Sequence, residues 1–201
     1  LTPDTENNSV RMLMHYIYER FLSDSQSICE LGCGTGHHLI QLAQIDSRKD
    51  YHGFDWATSS QAILKLVQSI EPSFSIFGHR LDFFDPFSSC GSIPKGSAIF
   101  TFAALEQIGC NHTHIIDYLI SAQPSIVIHL EPISELLKPS NLLHFLSIKY
   151  FQKRNYLSGF LTALQHQSSV GNIDILHAEP TGVGSMFIEG YSMVVWKPRA
   201  I

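Results

Sequence analysis

The residues best suited to chemistry lie at positions 30–36, which read E-L-G-C-G-T-G and carry glycine at every second position from residue 32. An apolar segment that predicts a buried strand precedes them, and a helical pattern begins at His37. Small residues between a strand and a helix let the backbone approach a ligand closely at the edge of a parallel sheet. The run is not a dinucleotide fingerprint, because His37 replaces the final glycine, and no Gly-Lys-Ser/Thr follows to make a P-loop. A tight turn without a ligand is the alternative.

This run resembles the first motif of the class I S-adenosylmethionine-dependent methyltransferases. In that family the acid holds the loop and the methionine end of the cofactor, and the glycines make room for it. The resemblance implies S-adenosylmethionine as cofactor and S-adenosylhomocysteine as product. It assigns the cofactor-binding loop to Glu30, Gly32, Cys33, Gly34 and Gly36. An adenosyl ligand has no pyrophosphate, so it does not need the third glycine of a dinucleotide loop.

A second acid, Asp55, ends the next predicted strand about twenty residues after the loop, where a ribose-binding carboxylate is expected. Two ribose hydroxyls can both donate to one carboxylate. The neighbouring Trp56 is assigned to the cofactor as well. The alternative for Asp55 is a cap on the following helix, but Thr58 and the serines after it are better capping candidates.

The end of the third predicted strand carries Asp82 and Phe83. The family resemblance places an acid here against the adenine amino group and an apolar side chain against the ring, which Asp82 and Phe83 fit. Phe83 and Phe84 are equally compatible with the core, where aromatic residues near strand ends usually lie. Phe102 and Ala103, at the end of the fourth predicted strand, complete the predicted cofactor contacts.

Methyl transfer requires that acceptor and methyl group be held in line and close together, and a base assists a hydroxyl acceptor. His129 is our first candidate for this base, since histidine titrates near neutral pH. Alternation along the fifth strand puts Glu131 on the same face, where it could orient His129 or bind a substrate hydroxyl. Glu106 is a further catalytic candidate. The alternative is that these polar side chains only satisfy buried hydrogen bonds.

Basic residues after the fifth strand predict an acceptor site. Lys149 and Tyr156 fall on one side of a helical pattern, and Arg154 adds a bidentate donor for phosphate or carboxylate. A small anionic or polyhydroxylated acceptor would suit them, whereas a solvated helix face is the alternative. The segment after the fourth strand lacks both the Asn/Asp-Pro-Pro-Tyr/Phe motif of amino-methylases and the metal-binding Asp of catechol-type relatives.

The elements that must position these residues alternate between strand and helix. We predict strands at 27–29, 51–55, 74–81, 97–102, 125–130, 173–177 and 191–196, and helices at 10–22, 37–43, 58–70, 114–122 and 141–165. The predicted fold is an α/β, doubly wound, Rossmann-like sheet of seven strands, mostly parallel with an antiparallel C-terminal hairpin strand. One domain spans 1–201, with a lead-in helix in 1–26 and the core in 27–197.

Composition narrows the function. The 201 residues are 44% hydrophobic and 15% charged with a net charge of -5, which favours a globular domain and gives no sign of a nucleic-acid partner. The longest apolar runs are strand-sized, so no membrane segment is predicted. The four cysteines form no C-x-x-C pair, and the 11 histidines lack zinc-site spacing, so we expect no metal and a cytoplasmic location. The N-terminal stretch is too polar for a signal peptide, and Leu1 in place of Met leaves open whether residues precede it.

The sequence therefore predicts a methyltransferase that acts on a small molecule, with oxygen as the expected acceptor atom. Methylation of nitrogen on a protein or metabolite is one alternative, and a module that binds the cofactor without turnover is another. A dinucleotide-dependent dehydrogenase is disfavoured by the glycine spacing. The identity of the acceptor and the oligomeric state are open at this stage.

Overall fold

A seven-stranded sheet forms the centre of the computed structural model, which describes residues 5–89 and 91–199. In chain order the strands are β1 (Ser27–Leu31), β2 (Asp50–Asp55), β3 (Ser75–Arg80), β4 (Ala98–Phe102), β5 (Ile126–Glu131), β6 (Ile173–Pro180) and β7 (Ser192–Pro198). They lie in the order β3-β2-β1-β4-β5-β7-β6. All neighbouring pairs are parallel except β5–β7 and β6–β7, so β7 runs against the other described strands. This arrangement confirms the predicted fold class.

Helices connect the strands and cover the sheet. They are α1 (Thr5–Ile17), α2 (His37–Ile45), α3 (Thr58–Ile70), α4 (Thr113–Ala122), α5 (Leu142–Arg154) and α6 (Phe160–Ser169). A π-helical turn, Tyr18–Leu22, continues α1. Within the described part of the chain, no helix combines the length and apolar character needed to cross a membrane.

Both faces of the sheet are buried, and successive residues of each strand enter opposite cores. Ile28, Phe100 and Ile128 share one core with side chains from α1, α2 and α3. Their neighbours Cys29 and Ile99 belong to the other core, which α4 and α6 cover. Because strand side chains alternate and both faces are covered, the central strands are apolar almost throughout. Their polar residues are therefore concentrated at the carboxyl ends, at one edge of the sheet.

The predicted helical segment at 141–165 is two helices rather than one. Asn155 follows α5 with φ of 53°, and Gly159 precedes α6 with φ of 71°. Glycine and asparagine tolerate this left-handed backbone better than other residues, and a single such residue ends a helix. The apolar spacing continues across the break, so hydrophobic periodicity alone does not reveal it.

Candidate functional site

The glycine loop between β1 and α2 is fixed against its neighbours by backbone contacts. The N–H groups of Gly32 and Cys33 both donate to the carbonyl oxygen of Phe54, at 2.7 and 3.1 Å. Gly32 has φ of +75°, and a Cβ built there would lie 2.4 Å from the Cβ of Ala104. No other residue fits position 32 without moving the segment that follows β4. The loop and that segment therefore meet directly.

Asp55 ties the loop to the start of α3. One carboxylate oxygen accepts the Gly34 N–H at 2.9 Å, and the other accepts the Ala57 N–H at 2.9 Å. The residue thus connects the loop to the residue that precedes α3, without capping that helix. A carboxylate has about four acceptor positions, so each oxygen can accept a further hydrogen bond. Asp55 therefore keeps the capacity to bind two hydroxyl groups.

A cavity of about 520 Å³, here called the main cleft, opens at the carboxyl ends of β1, β2 and β4. Seven of the predicted cofactor contacts line it, namely Gly32, Gly34, Asp55, Trp56, Asp82, Phe83 and Ala103. Five residues that the sequence analysis did not single out as contacts complete the lining: Leu81, Phe84, Ala104, Gln107 and Ile108. Leu81, Phe84 and Ala104 adjoin predicted contacts in the sequence, whereas no local signal indicates Gln107 or Ile108.

Asp82 is held at the side of the main cleft by a tight turn. Its Oδ1 accepts the Phe84 N–H at 2.9 Å, and its own N–H donates to the Ser89 hydroxyl at 3.0 Å. Trp56 and Phe84 stand at the cleft with 72% and 55% of their surfaces exposed. Large aromatic side chains are unusual in such exposed positions. Their place beside two carboxylates suits a ligand with a flat ring and polar edges.

Glu30 lies behind the loop and is 1% exposed. Its Oε1 is 2.7 Å from His38 Nδ1, and its Oε2 has no hydrogen-bond partner among the described residues. Burial raises the pKa of Glu30, and the hydrogen bond with His38 partly offsets that rise. A buried carboxylate oxygen without a partner is unusual in a folded protein and suits a bound cationic or hydrogen-donating group.

The other predicted cofactor contacts do not line the main cleft. Cys33 is buried beneath the loop, and a Cβ at Gly36 would collide with Leu64, so both serve packing. Phe102 packs on the ring of His38, with ring centroids 4.6 Å apart. These residues support the loop from behind.

His129 does not line the main cleft and is engaged in buried hydrogen bonds. Its Nε2 accepts the indole N–H of Trp196 at 3.0 Å, so the proton is on Nδ1, which is 3.0 Å from the Thr101 hydroxyl. The ring is fully buried, and burial lowers its pKa to about 3. Since its only accepting nitrogen is occupied, the structure gives His129 the buried hydrogen-bonding role that was the alternative interpretation.

Glu131 also has a supporting role. Its Oε1 accepts the N–H groups of Ala104 and Leu105, both at 3.1 Å. The carboxyl group is fully buried, which raises its pKa to about 7, and these donors and Thr101 only partly offset the rise. Ala103, just before them, has φ of 48°. Glu131 thus anchors the segment that forms one wall of the main cleft and does not itself line that cleft.

A second cavity of about 280 Å³, here called the side groove, shares Ala103 with the main cleft. The residues that line it are Ala103, Glu106, Pro132, Tyr150, Phe151, Tyr156, Gly184, Ser185, Ile188, Gly190 and Tyr191. Burial raises the pKa of Glu106, and the nearby Arg154 guanidinium and a hydrogen bond with Tyr156 partly offset the rise. Tyr150 and Tyr191 come from distant parts of the chain, so local patterns could not assign them to this groove.

The three predicted acceptor contacts separate into two groups. Arg154 and Tyr156 border a hollow of about 410 Å³ that also contains Glu106. The Arg154 guanidinium lies over the Tyr156 ring, 5.7 Å from its centroid. Lys149 is on the exposed side of α5, where its Nζ is 5.7 Å from the centroid of the Phe145 ring. The structure brings Glu106, Arg154 and Tyr156 together and leaves Lys149 outside.

Metal binding finds no support among residues 5–89 and 91–199, because they contain no cluster of three or more histidine, cysteine or acidic side chains placed to hold an ion. Cys29 and Cys33 are buried free thiols, and Cys110 is an exposed one. Cys90 lies outside the described residues. The expectation that the protein uses no metal stays a prediction.

Comparison with known proteins gives structural neighbours only, since no family model and no curated protein matches the sequence. The small RNA methyltransferase HEN1 is 13% identical with a TM-score of 0.65, over 100% of this chain and 26% of that one. Human N-acetylserotonin methyltransferase, in complex with S-adenosylmethionine, is 16% identical with a TM-score of 0.62, over 98% and 52%. An O-methyltransferase family protein from Burkholderia thailandensis is 10% identical with a TM-score of 0.66, over 96% and 57%.

The chain thus spans between about a quarter and somewhat over half of these neighbours' lengths. At 10–16% identity the likeness establishes the fold. The chain has the Rossmann-like methyltransferase fold, as the resemblance of its glycine loop predicts.

Proposed function

We propose that this protein is an S-adenosylmethionine-dependent methyltransferase that acts on a small molecule. The observation that carries the proposal is the pair of carboxylates, Asp55 and Asp82, that flank the glycine loop in the main cleft of a methyltransferase fold. Asp55 would accept the ribose hydroxyls, and the free oxygen of Asp82 would accept the adenine amino group. Trp56 and Phe83 would contact the ring.

A buried acceptor behind the glycine loop and open space beside the loop fit this cofactor. Glu30 Oε2 has no hydrogen-bond partner among the described residues and is suited to the ammonium of the methionine end or to a water that contacts it. A Cβ at Gly34 would meet no protein atom within 4 Å, so the loop leaves open space beside its backbone. When bound, the cofactor supplies a methyl group activated by a sulfonium.

The residues of the chain would then hold the acceptor and take its proton. Ala103 lies where the main cleft and the side groove meet, and Glu106 lies in the side groove. We propose that Glu106 is the general base for an oxygen acceptor, since its carboxylate is half-buried with a raised pKa. Tyr156 would border the acceptor, with the Arg154 guanidinium packed on its ring from the adjoining hollow, and Lys149 has no part in this proposal.

Isothermal titration calorimetry of the full chain tests cofactor binding. We expect S-adenosylhomocysteine to bind and NAD not to bind. Asp55→Ala should weaken the binding of S-adenosylmethionine and S-adenosylhomocysteine about 10–100-fold, because hydrogen bonds to a charged partner contribute roughly 1.5–3 kcal/mol. Asp174→Ala is the matched control, since Asp174 pairs only with Arg199 at the surface. Equal affinities for Asp55→Ala and the control would refute the ribose role, and binding of NAD alone would refute the proposed function.

A further inference from the structure

We infer that the methyl acceptor is an uncharged hydroxylated aromatic compound of one or two rings, bound in the side groove. This inference rests on the proposed function and adds the class of substrate. It replaces the anionic or polyhydroxylated acceptor that the basic residues near α5 suggest from sequence. Four properties of the side groove support this inference: the chemistry of its walls, its charge, its volume and its position beside the main cleft.

The walls of the side groove combine aromatic side chains with polar groups. Tyr150 packs edge-on against Tyr156 with ring centroids 5.8 Å apart, and Phe151 lies 6.1 Å from the same ring. The opposite wall contains Gly184 and Gly190, whose backbones are so close that a Cβ on Gly184 would be 2.3 Å from the Gly190 nitrogen. Aromatic rings and bare peptide planes form favourable contacts with another planar ring. The polar side-chain groups in the described lining are Glu106, Ser185 and the tyrosine hydroxyls, so the groove also offers partners for a hydroxyl on such a ring.

Charge in the groove favours a neutral ligand. Among the described residues that line the groove, Glu106 is the only one with a carboxylate and none has a basic side chain. The guanidinium of Arg154 lies in the adjoining hollow, over the ring of Tyr156. A carboxylated or phosphorylated ring would therefore place its anion beside Glu106. An aliphatic amine would bind as an ammonium paired with Glu106, and in that form it lacks the lone pair that methylation requires.

Size and position limit the acceptor further. The volume of about 280 Å³ is at the lower end of the roughly 300–1,000 Å³ typical of small-molecule sites. One ring or two fused rings would fill such a space. Ala103 connects this volume to the main cleft, and Glu106 lines the same groove. A hydroxyl directed towards Ala103 would have the carboxylate near its proton.

Atoms and electrons balance in the proposed transfer of the methyl group to the acceptor oxygen. The acceptor O–H bond breaks, and its proton goes to the Glu106 carboxylate while the oxygen lone pair forms the new O–CH₃ bond. The S–CH₃ bond of S-adenosylmethionine breaks, and its electron pair stays on sulfur, which changes from a sulfonium to a neutral thioether. Glu106 then releases the proton to solvent.

Binding measurements on the full chain test the class of acceptor. With the protein saturated by S-adenosylhomocysteine, 2-naphthol, 2-naphthoic acid, 2-naphthylamine and glucose are titrated by calorimetry. We expect 2-naphthol to bind most tightly. Tyr150→Ala should weaken its binding about tenfold, because aromatic pairs contribute roughly 0.5–1.5 kcal/mol beyond their buried area, and Tyr150→Phe should retain it. Tyr16→Ala, which removes an exposed tyrosine from α1, is the matched control and should leave binding unchanged.

Transfer of a radiolabelled methyl group from S-adenosylmethionine to 2-naphthol tests the base. Glu106→Gln should lower kcat about 100-fold or more while the affinity for 2-naphthol changes less than about threefold. Tighter binding of 2-naphthoic acid, preferred methylation of 2-naphthylamine, or equal binding by Tyr150→Ala and Tyr16→Ala would overturn the inference. Failure of S-adenosylhomocysteine to bind at all would instead overturn the proposed function, so the two failures are distinguishable.

Discussion

The buried carboxyl group of Glu131 makes a sharp prediction about stability and pH. It is fully buried, accepts the N–H groups of Ala104 and Leu105, and has a pKa raised to about 7. Glu131→Gln retains an oxygen that can accept both hydrogen bonds and removes the ionisation. The two proteins should therefore differ mainly in how their free energies of unfolding depend on pH.

The direction in which pH changes the free energy of unfolding follows from proton linkage. Burial raises the pKa of Glu131 from 4.5 to about 7, so between these values the folded protein keeps a proton that the unfolded chain has released. The contribution of Glu131 to the free energy of unfolding must then fall as pH rises through this window. Each pKa unit corresponds to about 1.4 kcal/mol, which gives a total loss of about 3 kcal/mol by pH 8. The glutamine variant does not have this loss.

Urea unfolding at pH 5, 6, 7 and 8 measures the effect. The free energy of unfolding of Glu131→Gln minus that of the wild type should rise by about 2–3 kcal/mol from pH 5 to pH 8, because all other titrating groups cancel in the difference. Glu179→Gln removes an exposed acid from β6 and controls for the loss of a charge; its difference curve should be flat. A flat or falling curve for Glu131→Gln would refute the account of how burial acts on this group.

Three further substitutions test the cleft and its support. Gly34→Val should weaken S-adenosylhomocysteine binding at least about 100-fold in calorimetry, because a β-branched residue is strained at φ of +51° and its side chain occupies the open space; unchanged affinity would argue against the loop assignment. Asp82→Ala should abolish the preference for S-adenosylhomocysteine over its inosine analogue, which lacks the adenine amino group, and a retained preference in competition binding would exclude Asp82 as its partner. His129→Ala should lower the free energy of unfolding by about 3 kcal/mol in urea, since it leaves a cavity and an unpaired Trp196 N–H, and a loss below about 1 kcal/mol would contradict the structural role.

Seven of the residues predicted to contact the cofactor line the main cleft, and they could be grouped from sequence because their signals are local. Parallel strands end at one edge of the sheet, so acids at strand ends, such as Asp55 and Asp82, are brought near the glycine loop once the strands are recognised. Glu30, Cys33 and Gly36 belong to this loop and Phe102 ends β4, yet none of them lines the cleft. Proximity in sequence does not determine which side of a loop a residue faces.

The side groove was harder to predict because its geometry depends on contacts between distant segments. Alternation correctly placed His129 and Glu131 on one face of β5, yet the partner that occupies His129 is Trp196, 67 residues away. Tyr150 on α5 and Tyr191 before β7 meet Glu106 only in the folded chain. Because the helix ends at Asn155, Tyr156 does not continue α5. Its side chain lies instead beside Glu106.

The outer boundary of the side groove is a connection between two strands at one end of the sheet. Residues 181–191 join β6 to β7, and the Glu189 N–H donates to the Ser147 hydroxyl of α5 at 2.8 Å. The residues that would bind the nucleoside lie at the ends of other strands, towards the opposite side of the sheet. Exchanging this hairpin, with Ser147 and its contact preserved, is therefore a route to redirecting the choice of acceptor without rebuilding the half of the protein that would supply the methyl group.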